Sequence, residues 1–269
     1  MQTSHKLTRL FFALASLVTL ATMSFGQANQ ISVSDQKPGS VLVYPYYTSS
    51  AQTKADTRVT LSNLGTDFSY VHVFFLAGNN CQQADQFVCL TKGASIAFKT
   101  SEQDPEMTGY IVAVAVNSMG VPVRYNYLIG NAFVNDGDYV GNYGAEAFAA
   151  NNENPATLGA DTATLNFNGQ GYDRGADQFA VEIQSPNDAA GQRIIHVSLN
   201  GNIAAASVNS IAQSGTGLVW RGDEKQGSFV AFIGGNCQSR NIITATAPRV
   251  PTGLGNFLPK GSIGTLAYT

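Results

Sequence analysis

The sequence predicts an all-β protein: an antiparallel β-sandwich, built as one large sandwich or as two tandem immunoglobulin-like or jelly-roll-like sandwiches, after a cleaved signal helix. Short runs in which apolar and polar residues alternate recur along the chain, as in residues 56–64. Outside the N-terminal segment, no amphipathic helical pattern lasts longer than about two turns. Glycine, 27 of 269 residues, lies mostly between these runs, where turns require positive φ.

The strand-like runs divide into an N-terminal and a C-terminal set. In chain order they are residues 40–47, 56–64, 69–78, 93–98, 109–117, 121–130, 178–185, 193–201, 217–222, 227–235 and 241–247. Residues 109–117, GYIVAVAVN, are apolar on both faces, which is expected of a central strand. The Asn-, Gly- and Ala-rich tract that ends near residue 175 shows no clear period.

The first 28 residues have the order of a secretory signal peptide. Lys6 and Arg9 precede residues 10–23, an uncharged apolar run, and small residues follow it. Fourteen helical residues span about 21 Å, which is too short for a bilayer core of about 30 Å. We expect cleavage after Gly26 or Ala28, and therefore a mature chain that is secreted, extracellular or periplasmic. No later stretch reaches 18 apolar residues, so no transmembrane segment is predicted in the mature chain.

Composition narrows the choice of partners. Removing Lys6 and Arg9 leaves 13 basic and 18 acidic residues, a net charge of −5, so nucleic acid is not expected as a partner. Charged residues make up only 12% of the chain, about half the usual share. The 21 asparagines include no N-x-S/T acceptor site, which favours a bacterial exported protein over a eukaryotic glycoprotein.

Three cysteines remain in the mature chain: Cys81, Cys89 and Cys237. Export would place them where disulfides persist. Each of the three pairings leaves one thiol over. We favour Cys81–Cys89, which would close a seven-residue loop between neighbouring strands, and this leaves Cys237 as an unpaired thiol or one whose partner is missing.

The domain organisation rests on weaker signals. Residues 151–160, NNENPATLGA, have the composition of a linker. They would separate a β-sandwich at 29–150 from a second sandwich, or a continuation of the first, at 161–269. A weak internal echo supports two units, because residues 74–82 (FFLAGNNCQ) and 231–238 (AFIGGNCQ) both end in Asn-Cys-Gln.

Four segments resemble a family of uncharacterised secreted bacterial β-rich proteins. They are GSVLVYPYY at 39–47, TGYIVAVAV at 108–116, VEIQSP at 181–186 and RVPTGLGN at 249–256. The resemblance covers most of residues 38–256 and implies a β-rich exported fold. It implies no catalytic residues, since its motifs are apolar strands and turns. It also implies a chain that continues beyond residue 269.

The sequence contains no recognisable catalytic or metal-binding motif. His72 and His196 lie inside strand-like runs, and neither belongs to a metal-binding spacing. No G-x-S-x-G accompanies them. Carboxylates that could serve a glycosidase show no convincing pair; the candidates are Glu146, Asp161, Asp177 and Glu182. We therefore predict no enzyme activity and no catalytic residues.

Two kinds of binding site remain open. Asp136 and Asp138 could bind calcium through the Asn-Asp-Gly-Asp segment at 135–138, although a turn is the more ordinary interpretation. Tyr44, Tyr46 and Trp220 could stack on sugar rings, although tyrosines at a spacing of two are more often packed across strands.

The chain end predicts one further feature. Residues 262–268 alternate like a strand, and we expect this strand to lie at a sheet edge, completed by further chain or by another subunit. Self-association through edge strands follows from it. The predicted function is an exported, non-enzymatic structural, adhesive or surface protein of the cell envelope. The alternatives are a carbohydrate-binding module and a secreted hydrolase.

Overall fold

A computed structural model describes residues 37–156, 163–176, 178–188, 191–199, 201–205, 207–208, 216–230 and 237–268. The predicted signal peptide, Asp161, Asp177 and residues 157–160 of the predicted linker lie outside these ranges. Strands account for 51% and helices for 5% of the described residues, and the strands form antiparallel sheets that pack against one another. The all-β sandwich prediction is confirmed. Its physical basis is the period-two burial pattern, which a helix could not satisfy.

The described part of the chain contains seventeen strands. They are β1 (Val41–Thr48), β2 (Asp56–Asn63), β3 (Ser69–Ala77), β4 (Gln83–Leu90), β5 (Ser95–Lys99), β6 (Thr108–Val116), β7 (Leu128–Asn135), β8 (Val140–Gly144), β9 (Glu146–Phe148), β10 (Phe179–Gln184), β11 (Arg193–Val197), β12 (Gly201–Asn202), β13 (Ser207–Val208), β14 (Thr216–Arg221), β15 (Gln226–Val230), β16 (Gln238–Ile242) and β17 (Ile263–Tyr268). Two short helices, α1 (Thr100–Gln103) and α2 (Leu254–Phe257), and a 3₁₀ turn at Ile203–Ala205 complete the elements.

Two sheets are built from the N-terminal half. The central sheet has the order β4-β3-β6-β1-β9, and the outer sheet has the order β5-β2-β7-β8. Strand β6 lies in the middle of the central sheet, as its two apolar faces predict. Its residues Ile111 and Ala113 face the outer sheet, whereas Val112 and Val114 belong to a cluster on the opposite face. The central sheet is therefore buried on both sides.

The C-terminal half supplies the second cover. A four-stranded sheet has the order β10-β17-β14-β15, and two ribbons pair β11 with β16 and β12 with β13. The cluster around Val112 also includes Leu165, Tyr172 and Ile203, so residues on both sides of the predicted linker share one core. Residues 36–269 form a compact unit. The boundary at 151–160 itself stays a prediction.

Several expected strands differ from the observed ones. The run predicted at 121–130 begins later, at Leu128. Residues 121–127 are irregular, with an isolated bridge at Pro122 and a turn at 126–127, and are held by side-chain hydrogen bonds such as Tyr125 Oη to Asn63 Oδ1 (2.8 Å). Strand β4 was predicted to be a loop. The strand predicted at 262–268 is confirmed as β17, but its edge position is wrong: β17 pairs with β10 on one side and β14 on the other, so its backbone is already satisfied.

Candidate functional site

The disulfide joins Cys81 to Cys237, with the two Cα atoms 5.6 Å apart and a sequence separation of 156. Cys81 follows the end of β3, and Cys237 precedes β16. Both are buried in the cluster around Val112, on the face of the central sheet that points away from the outer sheet. The bond therefore ties the C-terminal layer to the central sheet. The two Asn-Cys-Gln segments of the sequence echo are the two segments that it links.

The predicted Cys81–Cys89 pairing is wrong, and the reason is geometric. The residues expected to form a loop between them form strand β4 instead. Six residue steps along this strand, from Gln83 to Cys89, already cover about 20 Å, whereas a disulfide requires Cα atoms within about 7 Å. Cys89 is the free and exposed cysteine, and Cys237, predicted to lack a partner, is bonded.

Beside the disulfide, the side-chain amide of Gln238 enters the central sheet. Its Nε2 donates to the carbonyl oxygens of Pro45 (2.7 Å) and Gly109 (2.8 Å), so one side chain bridges β1 and β6. Gly78 leaves room for it, since a Cβ there would lie 2.5 Å from Gln238 Oε1. Sequence reasoning missed the role of Gln238, although the echo marked its position.

The three aromatic residues predicted to stack on sugars do not form a platform. Tyr44 is 1% exposed and donates its hydroxyl to Thr60 O (2.9 Å), which leaves neither ring face for a ligand. A Cβ at Gly130 would lie 1.9 Å from that hydroxyl, so a glycine is needed there. The strand register shifts between Tyr44 and Tyr47, around Pro45, and this breaks the alternation on which the prediction relied.

Tyr46 and Trp220 do not form a stacking platform either, because they lie in different sheets. Tyr46 is half-buried against the core between the central and outer sheets, and its backbone exchanges hydrogen bonds with the Tyr143 hydroxyl. Trp220 is half-buried on β14, in the C-terminal sheet, opposite Gln226 and Thr265. Within the described residues these two rings make no contact with each other.

The proposed calcium ligands lie in a turn that is already satisfied. Asp136 Oδ1 accepts the amides of Asp138 (3.1 Å) and Tyr139 (2.7 Å), and its Oδ2 accepts from Arg193 Nη1 (2.8 Å). Arg193 also lies over the Tyr139 ring, 4.7 Å from its centroid. Asp138 is exposed. Nowhere in the described ranges do three His, Cys, Asp or Glu side chains cluster as a metal site. The carboxylate of Asp136 thus holds a turn against Arg193, and the ordinary interpretation applies.

Residues 101–106, SEQDPE, form another acidic segment, and their side chains are likewise used within the fold. It contains most of α1, and Ser101 donates to the carboxylate of Asp56. Asp104 accepts from the Tyr47 hydroxyl, and Glu106 Oε1 accepts from the Ala51 amide at 2.7 Å. Asp104 and Glu106 each bond a protein partner, so the segment serves as a structural turn.

His72 forms the nearest approach to a catalytic pair. Its Nε2 lies 2.7 Å from Asp85 Oδ2, and its ring lies between Phe74 and Phe87, 3.9 Å from each ring centroid. Burial lowers the His72 pKa and outweighs the opposing effect of Asp85. No hydroxyl or thiol of the described chain bonds this imidazole, so the pair lacks a nucleophile. His196, whose pKa is also lowered by burial, lies on β11 in another layer.

The Arg-Gly-Asp tripeptide at 221–223 closes on itself. It begins at the last residue of β14 and continues into the hairpin to β15. Arg221 Nε donates to Asp223 Oδ1 at 2.6 Å, and Nη2 donates to the other carboxylate oxygen. This bidentate bond lowers the Asp223 pKa. Arg221 Nη1 also donates to Phe257 O at 3.1 Å. The two charged groups are therefore paired with each other rather than presented to a partner.

The solvent face of the outer sheet carries a row of exposed side chains; we call it the polar face. One row places Lys99, Arg58, Phe133 and Asn142 side by side across β5, β2, β7 and β8. Arg58 lies 5.9 Å from the Phe133 ring centroid, and that ring is 43% exposed. Strand alternation predicts that Arg58 and Thr60 lie on one face. It does not predict the cross-strand neighbours of Arg58, Lys99 and Phe133, because these depend on how the strands pair.

Comparisons with known proteins add little. No protein-family model and no curated protein matches the chain. Among solved structures, the crystal structure of Thermotoga maritima 1070 aligns with a TM-score of 0.32 and 8% identity, over 41% of this chain and 95% of that chain. A similarity of this size does not bear on function. None of the described helices has the length and apolarity needed to cross a membrane.

Proposed function

We propose that this chain is an exported, non-enzymatic β-sandwich protein with a structural, adhesive or surface role at a bacterial cell envelope. The observation that carries the proposal is the buried Cys81–Cys237 disulfide. Such a bond forms and persists in an oxidising compartment. The signal-like order of residues 1–28 supports the same location. A disulfide that joins two layers of the fold suits a protein that must stay folded outside the cell.

The arrangement of ionisable groups supports a role without catalysis. Glu146 lies on β9 of the central sheet and Glu182 on β10 of the C-terminal sheet, where each is exposed. His72 and Asp85 form a pair with no nucleophile among the described residues. A hydrolase would need two carboxylates, or a nucleophile and base, directed at one point. No observation favours the hydrolase alternative.

Fractionation of the producing cell tests the proposal. We expect the protein in the periplasm, the envelope or the medium, with an N-terminus at Gln27 or Asn29. Alkylation of free thiols before lysis should label Cys89 and leave Cys81 and Cys237 linked in peptide mapping. A cytoplasmic protein that retains Met1, with all three cysteines alkylated, would contradict export and the oxidising compartment together.

Carbohydrate binding is a second candidate function, and one observation favours it on the polar face. Arg58 and Lys99 lie directly opposite each other on neighbouring strands, and neither forms an ion pair in the described part of the chain. Like charges in this position destabilise a sheet, so a bound anion would relieve a cost that the fold otherwise carries. Phe133 beside them offers an exposed ring for stacking, and Asn131 and Asn142 offer exposed amides. An anionic polysaccharide fits this chemistry.

Affinity electrophoresis in gels containing an anionic or a neutral polysaccharide tests this second candidate. We expect retardation only by the anionic polymer, with the loss of most binding in Arg58→Ala and Phe133→Ala. Lys260→Ala removes an exposed cation from another part of the molecule and is the matched control. Equal loss in all three variants would indicate nonspecific charge attraction, and no retardation of the wild type would remove the candidate.

A further inference from the structure

Two exposed aromatic rings lie along one strand of the polar face. Tyr127, the residue before β7, is 52% exposed, and Phe133 on β7 is 43% exposed. Leu128 is buried between the sheets, so its neighbour Tyr127 is directed to solvent, as Phe133 is. The antiparallel pairing with β2 reaches this residue, because the Leu64 amide donates to Tyr127 O at 2.9 Å. The positions of the two rings in the sequence place them about 20 Å apart along the strand.

Uncharged, non-aromatic side chains fill the surface between the two rings. Two cross-strand pairs form it, Thr60 opposite Asn131 and Ser62 opposite Ile129. The Ser62 hydroxyl is already bonded to that of Ser95 at 2.6 Å, whereas the Asn131 side chain is exposed. An extended ligand can therefore pass from one ring to the other without meeting a charge, and the Asn131 amide lies beside its path.

The Phe133 end of this surface carries positive charge that the protein leaves uncompensated. Arg58 lies 5.9 Å from the Phe133 ring centroid and opposite Lys99, and neither cation forms an ion pair in the described part of the chain. The acid that precedes Arg58 on β2, Asp56, is engaged elsewhere, since it accepts from the Ser101 amide (3.0 Å) and hydroxyl (2.7 Å). A ligand with an acidic group at this end complements the charge of the face.

The Tyr127 end is held in place before any ligand binds. Its ring packs edge-on against that of Tyr125, with the centroids 5.3 Å apart. The Tyr125 hydroxyl lies 2.8 Å from Oδ1 of the buried Asn63 and 2.7 Å from the carbonyl oxygen of Asp67. These bonds tie the segment before β7 to the turn after β2, so that binding at Tyr127 orders little new chain.

We infer that the occupant of the polar face is an extended stretch of a linear acidic polysaccharide, which lies along β2 and β7. Sugar rings stack on Phe133 and Tyr127, and an acidic group is bound at Arg58. The C–H face of a sugar ring packs against an aromatic ring, and its hydroxyls bond to amides such as that of Asn131. The inference rests on the carbohydrate-binding candidate above and deepens it, because it adds Tyr127 as a second stacking residue and requires a ligand that reaches both rings.

Isothermal titration calorimetry of the purified full chain with galacturonate oligomers of increasing length, from the disaccharide upward, tests the inference. We expect the affinity to rise with length until an oligomer reaches both rings. Tyr127→Ala should weaken the binding of long oligomers by about fivefold to tenfold and leave that of the disaccharide unchanged. Tyr127→Phe keeps the ring and should bind like wild type. Phe179→Ala, at an exposed ring of the C-terminal sheet, is the matched control and should also bind like wild type.

Failure of the inference and failure of the carbohydrate-binding candidate give different results. Binding that depends on Arg58 and Phe133 but not on oligomer length, or long oligomers that bind Tyr127→Ala as tightly as wild type, would overturn the extended path and leave the candidate standing. Equal affinity for a neutral oligomer of the same length would overturn the acidic group at Arg58. A wild-type protein that binds neither kind of oligomer would overturn the inference and the candidate together.

Discussion

The Nε2 atom of Gln238 lies 2.8 Å from the carbonyl oxygen of Gly109, a residue of the central strand β6. The same nitrogen reaches Pro45 O on β1, and the neighbouring Cys237 is bonded to Cys81 after β3. Two consecutive residues of the C-terminal half therefore contact two strands of the central sheet and the segment that follows a third. This places the link between the layers in one short segment, made of the disulfide and the Gln238 amide.

Loss of the disulfide should be the largest single-site effect on stability in the molecule. A crosslink that closes a loop of 156 residues restricts the unfolded chain by about 5 kcal/mol in the chain-entropy model. We expect Cys237→Ser to lower the free energy of unfolding by several kcal/mol in urea denaturation, and reductant to do the same to wild type. Cys89→Ser is the matched control and should leave the curve unchanged. Equal destabilisation by Cys89→Ser would show that Cys89 takes part in the crosslink.

Gln238→Leu should destabilise the fold even when the disulfide is intact. The variant removes the donor from two backbone carbonyls in the sheet interior, and each lost hydrogen bond costs about 1 kcal/mol or more when its partner stays buried. We expect a loss of about 2–3 kcal/mol, measured by urea denaturation under oxidising conditions. Gln82→Leu, at an exposed glutamine beside Cys81, should stay within about 0.5 kcal/mol. An unchanged curve for Gln238→Leu would mean that water replaces the amide.

The sequence predicted those parts of the fold in which burial follows the period of a strand. Strand β2 alternates between Val59 or Leu61 toward the core and Arg58 or Thr60 toward solvent, and β6 is apolar on both faces because cores flank it on both sides. Strand β4 was missed because an end strand is only partly covered. Its burial alternates weakly, between the exposed Phe87 and the half-buried Val88. The polar residues at its start, Gln-Ala-Asp-Gln, have a composition typical of a loop.

The candidate sites depended on contacts that are distant in sequence, which local patterns do not encode. The Asp136 turn is fixed by Arg193, and the Cys81 thiol by Cys237. The prediction that Tyr44 and Tyr46 stack on a sugar requires strand alternation to continue through Pro45, where the register shifts. The repeated Asn-Cys-Gln marked the right pair of cysteines. The short sequence separation of Cys81 and Cys89 nevertheless favoured the wrong pairing, because the sequence did not reveal the extended strand β4 between them.

The turn at 136–139 should depend on Asp136 and not on calcium. Asp136 caps two backbone amides and pairs with Arg193, and its side chain is only 9% exposed. We expect Asp136→Ala to cost about 1–2 kcal/mol, whereas Asp138→Ala, at an exposed carboxylate, stays within about 0.5 kcal/mol. Thermal unfolding of wild type should be the same in millimolar calcium and in EDTA. A calcium-dependent rise in Tm that Asp136→Ala abolishes would restore the metal interpretation.

Stability should fall as the pH is lowered through the range in which histidine titrates. Burial between Phe74 and Phe87 lowers the His72 pKa below its ordinary 6.5, and burial also lowers that of His196. Above pH 6.5 both states hold these imidazoles neutral and the full contribution to stability is present. Below it, the unfolded chain binds protons that the folded chain does not, so stability is lost as the pH falls toward and through the folded pKa values.

His72→Gln isolates the contribution of this one imidazole. Glutamine can still donate to Asp85, but it does not titrate, so the decline in the free energy of unfolding between about pH 6.5 and 5 should become shallower. Gln82→Leu, at an exposed position that does not titrate, should keep the wild-type slope. Urea midpoints at half-unit pH steps measure both. A wild-type midpoint that rises on acidification would mean that His72 is held as an imidazolium by Asp85, with its pKa raised, and that the ion pair outweighs burial between the two phenylalanine rings.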